Sequence, residues 1–92
     1  MTQEHWAALI EASGAKQDET GYLTPPEGKL LTLYVASGSA TLSVQRIEAV
    51  RQVQGLVYAR TKKGELFVLA VEDVFAGAVE ETQGSSRKAG FV

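Results

Sequence analysis

The chain has 92 residues, 45% of them hydrophobic and 22% charged, with a formal net charge of −2, one histidine and no cysteine. This composition is close to the globular average, which excludes wholesale disorder, and the length allows one domain. The lack of cysteine excludes disulfide stapling and thiol chemistry, and the mild acidity argues against a dedicated nucleic-acid coat protein.

The opening stretch MTQEHWAALIEA is acidic and has no long apolar core, so it does not read as a secretory signal. No apolar run approaches the ~20 residues that span a bilayer, so no membrane partner is expected and the cytoplasm is the default location. Residues 2 to 13 are expected to form a short helix. Thr2 is a cap, Trp6, Leu9, Ile10 and Ser13 share a face at i, i+3, i+4 and i+7, and Gly14 is a stop. Residues 15 to 28 carry turn formers throughout, and Pro25–Pro26 excludes helix and central strand.

Lys29 to Ala36 reads as a strand and Ser39 to Gln45 as its partner across a two-residue turn at Ser37–Gly38. That turn sets Leu31 against Val44, Leu33 against Leu42 and Val35 against Ala40, with polar residues meeting on the other face. A one-residue slip would set Leu33 against Ser43, so it is rejected. Residues 45 to 54 admit two readings. Good helix formers between Ser43 and Gly55 suggest a helix, whereas Val44, Ile47, Val50 and Val53 recur every three residues and are all β-branched. A long strand bent by a bulge near Arg46 is favoured, returning Ile47 and Val53 to the inner face. The second hairpin is plainer. Lys62–Lys63–Gly64 fits a three-residue loop that sets Ala59 against Phe67, Val57 against Leu69, Arg60 against Leu66 and Tyr58 against Val68. Val74 to Glu80 reads as a last strand, since Gly77 would cost a helix about 1 kcal/mol.

The expected fold is mainly β, a short helix followed by about five bent antiparallel strands closing into a small SH3-like barrel over residues 1–81. Residues 82–92 are expected to form a flexible C-terminal tail. The alternative is an α+β sandwich with residues 45–54 helical. In its order of elements over residues 2 to 81, the chain resembles Sm-like barrels, which also place a short helix before five strands. Leu33, Leu42, Val57, Leu66, Val68 and Leu69 are the expected core.

Little in the chain points to catalysis. His5 is a lone histidine in an exposed first turn, far from the several His or Cys that a metal or haem site needs, so no metal or cofactor is expected. None of Ser37, Ser39 or Ser43 sits in a nucleophile elbow, and no phosphate-cradling loop is present. The acidic pairs Glu72–Asp73 and Glu80–Glu81 read as solubilising edge residues. The basic tip of the second hairpin carries more content. Tyr58 and Arg60 share a face and Lys62 and Lys63 follow, the cation-plus-aromatic mix used in nucleic-acid grooves, which Arg46 and Arg51 extend if the bent strand holds. Lysines also blunt an exposed hairpin against edge pairing. The chain therefore reads as a non-enzymatic interaction or assembly module, a homo-oligomer (most simply a dimer) or a partner of another protein, because LFVLAV at 66–71 is apolar on both faces. The alternative is a nucleic-acid binder using Tyr58, Arg60, Lys62 and Lys63.

Overall fold

The computed structural model describes residues 1–81, so the expected tail at 82–92 lies outside the described residues. One helix, α1 (Gln3–Ser13), precedes β1 (Lys16–Gln17), β2 (Leu23–Thr24), β3 (Lys29–Ser37), β4 (Ala40–Val53), β5 (Leu56–Thr61), β6 (Leu66–Ala70) and β7 (Val74–Glu81). A single 3₁₀ turn at Val71–Asp73 joins the last two strands.

The helix begins and ends where its caps dictate. The Thr2 hydroxyl accepts the His5 N–H at 3.1 Å, and Gly14, at φ 73°, donates its N–H to the Glu11 carbonyl. Trp6 and Leu9 are buried on the face toward the sheet. Ser13, also buried, satisfies its hydroxyl by donating to the Ile10 carbonyl at 2.8 Å.

All seven strands belong to one antiparallel sheet whose main path runs β6–β5–β4–β3–β7, with the small β1–β2 hairpin attached to β4 through Leu23 opposite Val50. The sheet curls into a half-barrel. Its concave side holds Leu31, Leu33, Val35, Val44, Ile47, Val50, Val57, Ala59 and Val74, over which Trp6 and Leu9 pack. Burying these eleven side chains is the main favourable term in a domain of this size.

The bend is made in β4. Ile47 pairs with Leu31 on one side and with Thr61 on the other, so the first half of the strand belongs to β3 and the second half to β5. Along a regular strand, residues three apart face opposite sides, and one extra residue brings them back to the same side. Registers shift once between Val44 and Ile47 and again between Ile47 and Ala49. Two insertions thus turn Val44, Ile47 and Val50 to the core, and Arg46 takes φ 58° within the first. The three-residue recurrence is the mark of these bulges. No third shift follows, so Val53 is exposed and Val50 takes the inner place expected for it.

Three other expectations are corrected. Residues 15 to 28 hold the β1–β2 hairpin as well as turns, with Asp18 N–H bonded to the Tyr22 carbonyl. The first hairpin turns at Gly38–Ser39, with Ser37 opposite Ala40 and Leu33 opposite Val44, two residues from the expected register. Gly38 has φ 63°, as the first central position of a tight hairpin turn requires, and a two-residue shift leaves every side chain on its expected face. Finally, Leu66 and Val68 are 55% and 52% exposed and Leu42 is exposed too, whereas Leu33 and Val57 are fully buried and Leu69 partly so. Alternation separated the faces of β6 correctly but did not say which was concave. Leu42 shares the inner parity of Val35, its partner, but lies near the hairpin tip. The second hairpin has the expected register at every pair from Leu56↔Ala70 to Arg60↔Leu66, with Gly64 at φ 90°.

Candidate functional site

Two regions of the surface gather chemistry: the outer face of β4–β5 under the β1–β2 hairpin, and the two ends of the sheet. On the outer face, strand alternation presents Tyr58 and Arg60 from β5, and the pairing with β4 sets Arg51 beside Tyr58 and Ala49 beside Arg60. Tyr22 reaches this face from the turn between β1 and β2. Its ring centroid lies 5.1 Å from the Arg60 guanidinium carbon and 5.7 Å from that of Arg51, which is also 6.0 Å from the Tyr58 ring. Glu48 reaches Arg60 at 3.6 Å from Nε to Oε2. Both members are close to half exposed, so the ion pair contributes under about 1 kcal/mol, as does each exposed cation–π contact.

Asp18 builds the turn that holds Tyr22 in place. Its Oδ1 accepts the N–H of Thr20 at 2.8 Å, the N–H of Tyr22 at 3.1 Å and the Thr20 hydroxyl, while Oδ2 accepts the Thr24 hydroxyl at 3.4 Å. The carboxyl is held below its ordinary value, chiefly by the Thr20 hydroxyl, with the two backbone N–H groups and Thr24 adding to this and partial desolvation opposing it. Gly21, at φ 91°, closes the turn by donating to the Asp18 carbonyl.

The four residues expected to form a basic surface are thus split. Tyr58 and Arg60 lie side by side on the outer face, and Lys62 joins Arg60, Glu48 and Asp18 around an open cleft of about 360 Å³ beside Pro25 and Pro26. Lys63 faces the other way, into a second hollow with Arg46 and Ser43. The Lys62 N–H donates to the Arg46 carbonyl at 3.0 Å, which ties the hairpin tip to the bend of β4. Tyr22 and Glu48 were not anticipated. The only sign of Tyr22 in the sequence was an aromatic following Gly21 in a stretch dense with turn formers. Carboxylates and cations mix in the cleft, and among the described residues no three His, Cys, Asp or Glu come together as a metal site would need.

At the ends of the sheet, β6 pairs only with β5 and β7 only with β3, so each leaves one edge of its backbone without a strand partner among the described residues. Leu56, Leu66 and Val68 are exposed on the outer face beside the β6 edge, and Phe75, 6.3 Å from the exposed Tyr34, lies beside the β7 edge. The charges at the two edges differ. Lys62, Lys63 and Glu65 stand before β6, Glu72 and Asp73 lie in the turn between β6 and β7, and β7 ends on Glu80 and Glu81. No helix is long and apolar enough to cross a membrane. The chain matches no protein-family model, and comparison with curated proteins and with solved structures finds no match either.

Proposed function

We propose that the chain is a non-enzymatic assembly module that self-associates by joining the β6 edge of one copy to the β7 edge of the next. The observation that carries this reading is the pair of edges without a strand partner among the described residues, one with lysines at the start of β6 and one with glutamates at the end of β7, each beside exposed apolar side chains. Unpaired edges readily accept another strand, and exposed apolar surface beside them gives the contact area to bury. Antiparallel pairing of β6 with β7 of a second copy brings Lys62 and Lys63 toward Glu80 and Glu81 at one end and leaves Glu72 and Asp73 of the two copies at the other. Pairing β7 with β7 instead sets acidic ends against acidic ends, which cross-strand repulsion disfavours. The contact we propose is head-to-tail, which closes into a ring or grows into a chain; a symmetric dimer, the simplest expectation, would instead join β6 to β6 with Lys62 and Lys63 toward Glu72 and Asp73.

We further propose that the fold is a small barrel of the SH3-like or Sm-like kind. A helix before the sheet, a long second main strand bent at two bulges and a 3₁₀ turn before the last strand are consistent with a small barrel of the SH3-like or Sm-like kind, left open between β6 and β7. Fold-level likeness carries no function by itself, so the reading rests on the edges. The nucleic-acid reading of the outer face is the weaker one. The rings of Tyr22 and Tyr58 already have arginines of the same chain over them, and Glu48 offsets Arg60. Sedimentation equilibrium from ~1 to 500 µM, a span that brackets common affinities, tests the proposal. Masses rising with concentration above 9.9 kDa are expected, and a single 9.9 kDa species throughout would refute it.

A further inference from the structure

Arg46, at the bend of β4, lies beside Lys63 of the second hairpin tip. Arg46 and Lys63 line a hollow of about 270 Å³ with Ser43, Gln45 and Phe67. Neither cation forms a salt bridge among the described residues, where Arg60–Glu48 is the one ion pair. Glu65 also borders the hollow, its Oε1 accepting from the Thr61 hydroxyl at 3.4 Å, so the lining carries two cations against one carboxylate. The backbone of Arg46 is at φ 58°, a left-handed conformation that suits glycine or asparagine and strains other side chains. Gln54, the other such residue, sits in the two-residue turn between β4 and β5, where positive φ is required. At a bulge, glycine would serve as well as or better than arginine. A long cation held there against its own preference, aimed beside a second cation and a hydroxyl, indicates a ligand of opposite charge.

We propose that this hollow binds a phosphate group, with Arg46 and Lys63 supplying charge and Ser43 and Gln45 supplying neutral hydrogen bonds. Its volume is at the small end of ligand pockets, which suits an ion or one terminal group rather than a whole drug-sized molecule. Arginine pairs bidentately with phosphate oxygens, and lysine adds a point charge. Lys63 also belongs to the proposed assembly contact, whereas Arg46 lies in neither edge strand, so Arg46 variants read ligand binding apart from mass.

The test is an amide-shift titration of the whole chain with inorganic phosphate at low ionic strength, against sodium chloride at matched ionic strength. Saturable shifts confined to 43–46 and 63, seen with phosphate and not with chloride, are expected. Arg46→Asn should weaken binding about tenfold or more, the loss expected for one charge-assisted hydrogen bond. Because asparagine accepts positive φ, that variant should unfold no earlier than the wild type, which separates lost binding from lost structure. Arg46→Lys, which keeps the charge but loses the bidentate fork, should bind more weakly than the wild type and more tightly than Arg46→Asn. A second arm uses a thymidine hexamer that carries only diester phosphates. Tighter binding of the hexamer identifies a nucleic-acid backbone as the source, and preference for inorganic phosphate identifies a free or monoester phosphate. Shifts from neither probe, shifts equal in chloride, or undiminished binding by Arg46→Asn would overturn the proposal.

Discussion

Gly77→Ala tests how α1 closes the core. Gly77 lies on β7 opposite Leu33, and a Cβ at this position would stand 2.5 Å from Leu9 Cδ2, 3.1 Å from Cδ1 and 3.3 Å from Cγ. Leu9 is 9% exposed and packed in the cluster, so it has little room to retreat. Forcing a methyl into such a contact costs about 1–3 kcal/mol, and alanine's smaller unfolded-state entropy offsets roughly 0.4–1 of that. A net loss of about 1–2 kcal/mol is expected, or ~4–16 °C in the unfolding midpoint of a domain this size. Leu9→Ala alone should cost about 2–4 kcal/mol through lost transfer energy and a cavity. In the double variant the new methyl occupies space that Leu9 has vacated, so the combined loss should fall short of the sum by about 1–2 kcal/mol. Urea denaturation followed by the fluorescence of Trp6, the only tryptophan and a buried one, reads all four corners of the cycle. Additive losses, or a neutral Gly77→Ala, would mean that α1 does not pack on β7 as described.

Leu31 and Leu66 should respond in opposite ways to the same truncation: Leu31→Ala, at a fully buried site, should cost about 2–5 kcal/mol. Leu66→Ala, on the exposed outer face, should stay near 0.5 kcal/mol in the monomer, and equal losses at the two sites would contradict the assignment of faces. Asp18 gives a pH dependence whose sign is fixed by its lowered folded value. Its contribution is fully present above the unfolded carboxyl value of about 3.9 and is lost as pH falls through the lower folded value. Exchange protection of the Tyr22 amide should therefore fall in acid, and Asp18→Ala should remove it at neutral pH; protection unchanged in either case would show that the turn does not depend on Asp18.

Much of this architecture can be read from the residues because local rules and the fold agree. Thr2 and Gly14 bound the helix, Gly64 fixes the second hairpin, and alternation sorts Tyr58 and Arg60 from Val57 and Ala59. The weaker points are those set by distant contacts. Which face of β6 is concave depends on the curl of the whole sheet, so Leu66 and Val68 were misplaced while their pairing was right. Gly77 argues against a helix on propensity, but the side chain that needs the space belongs to Leu9, far away in sequence. The outer-face cluster was half legible. Tyr58, Arg60 and Arg51 follow from strand parity, whereas Tyr22 and Glu48 join them only because Leu23 pairs with Val50 and a bulge turns Glu48 outward.

Head-to-tail joining of the β6 and β7 edges is tested most directly by mixing two charge-reversed proteins. In one, Lys62→Glu and Lys63→Glu make the start of β6 acidic like the end of β7; in the other, Glu80→Lys and Glu81→Lys make the far end of β7 basic like the start of β6. Sedimentation equilibrium should show each variant alone as a monomer near 9.9 kDa, because like charges now meet at β6–β7 contacts. An equimolar mixture should assemble to the masses of the wild type, since each altered edge then finds its opposite charge on the other protein. A mixture that stays monomeric while the wild type assembles, or variants that assemble unaided, would contradict pairing of these two edges.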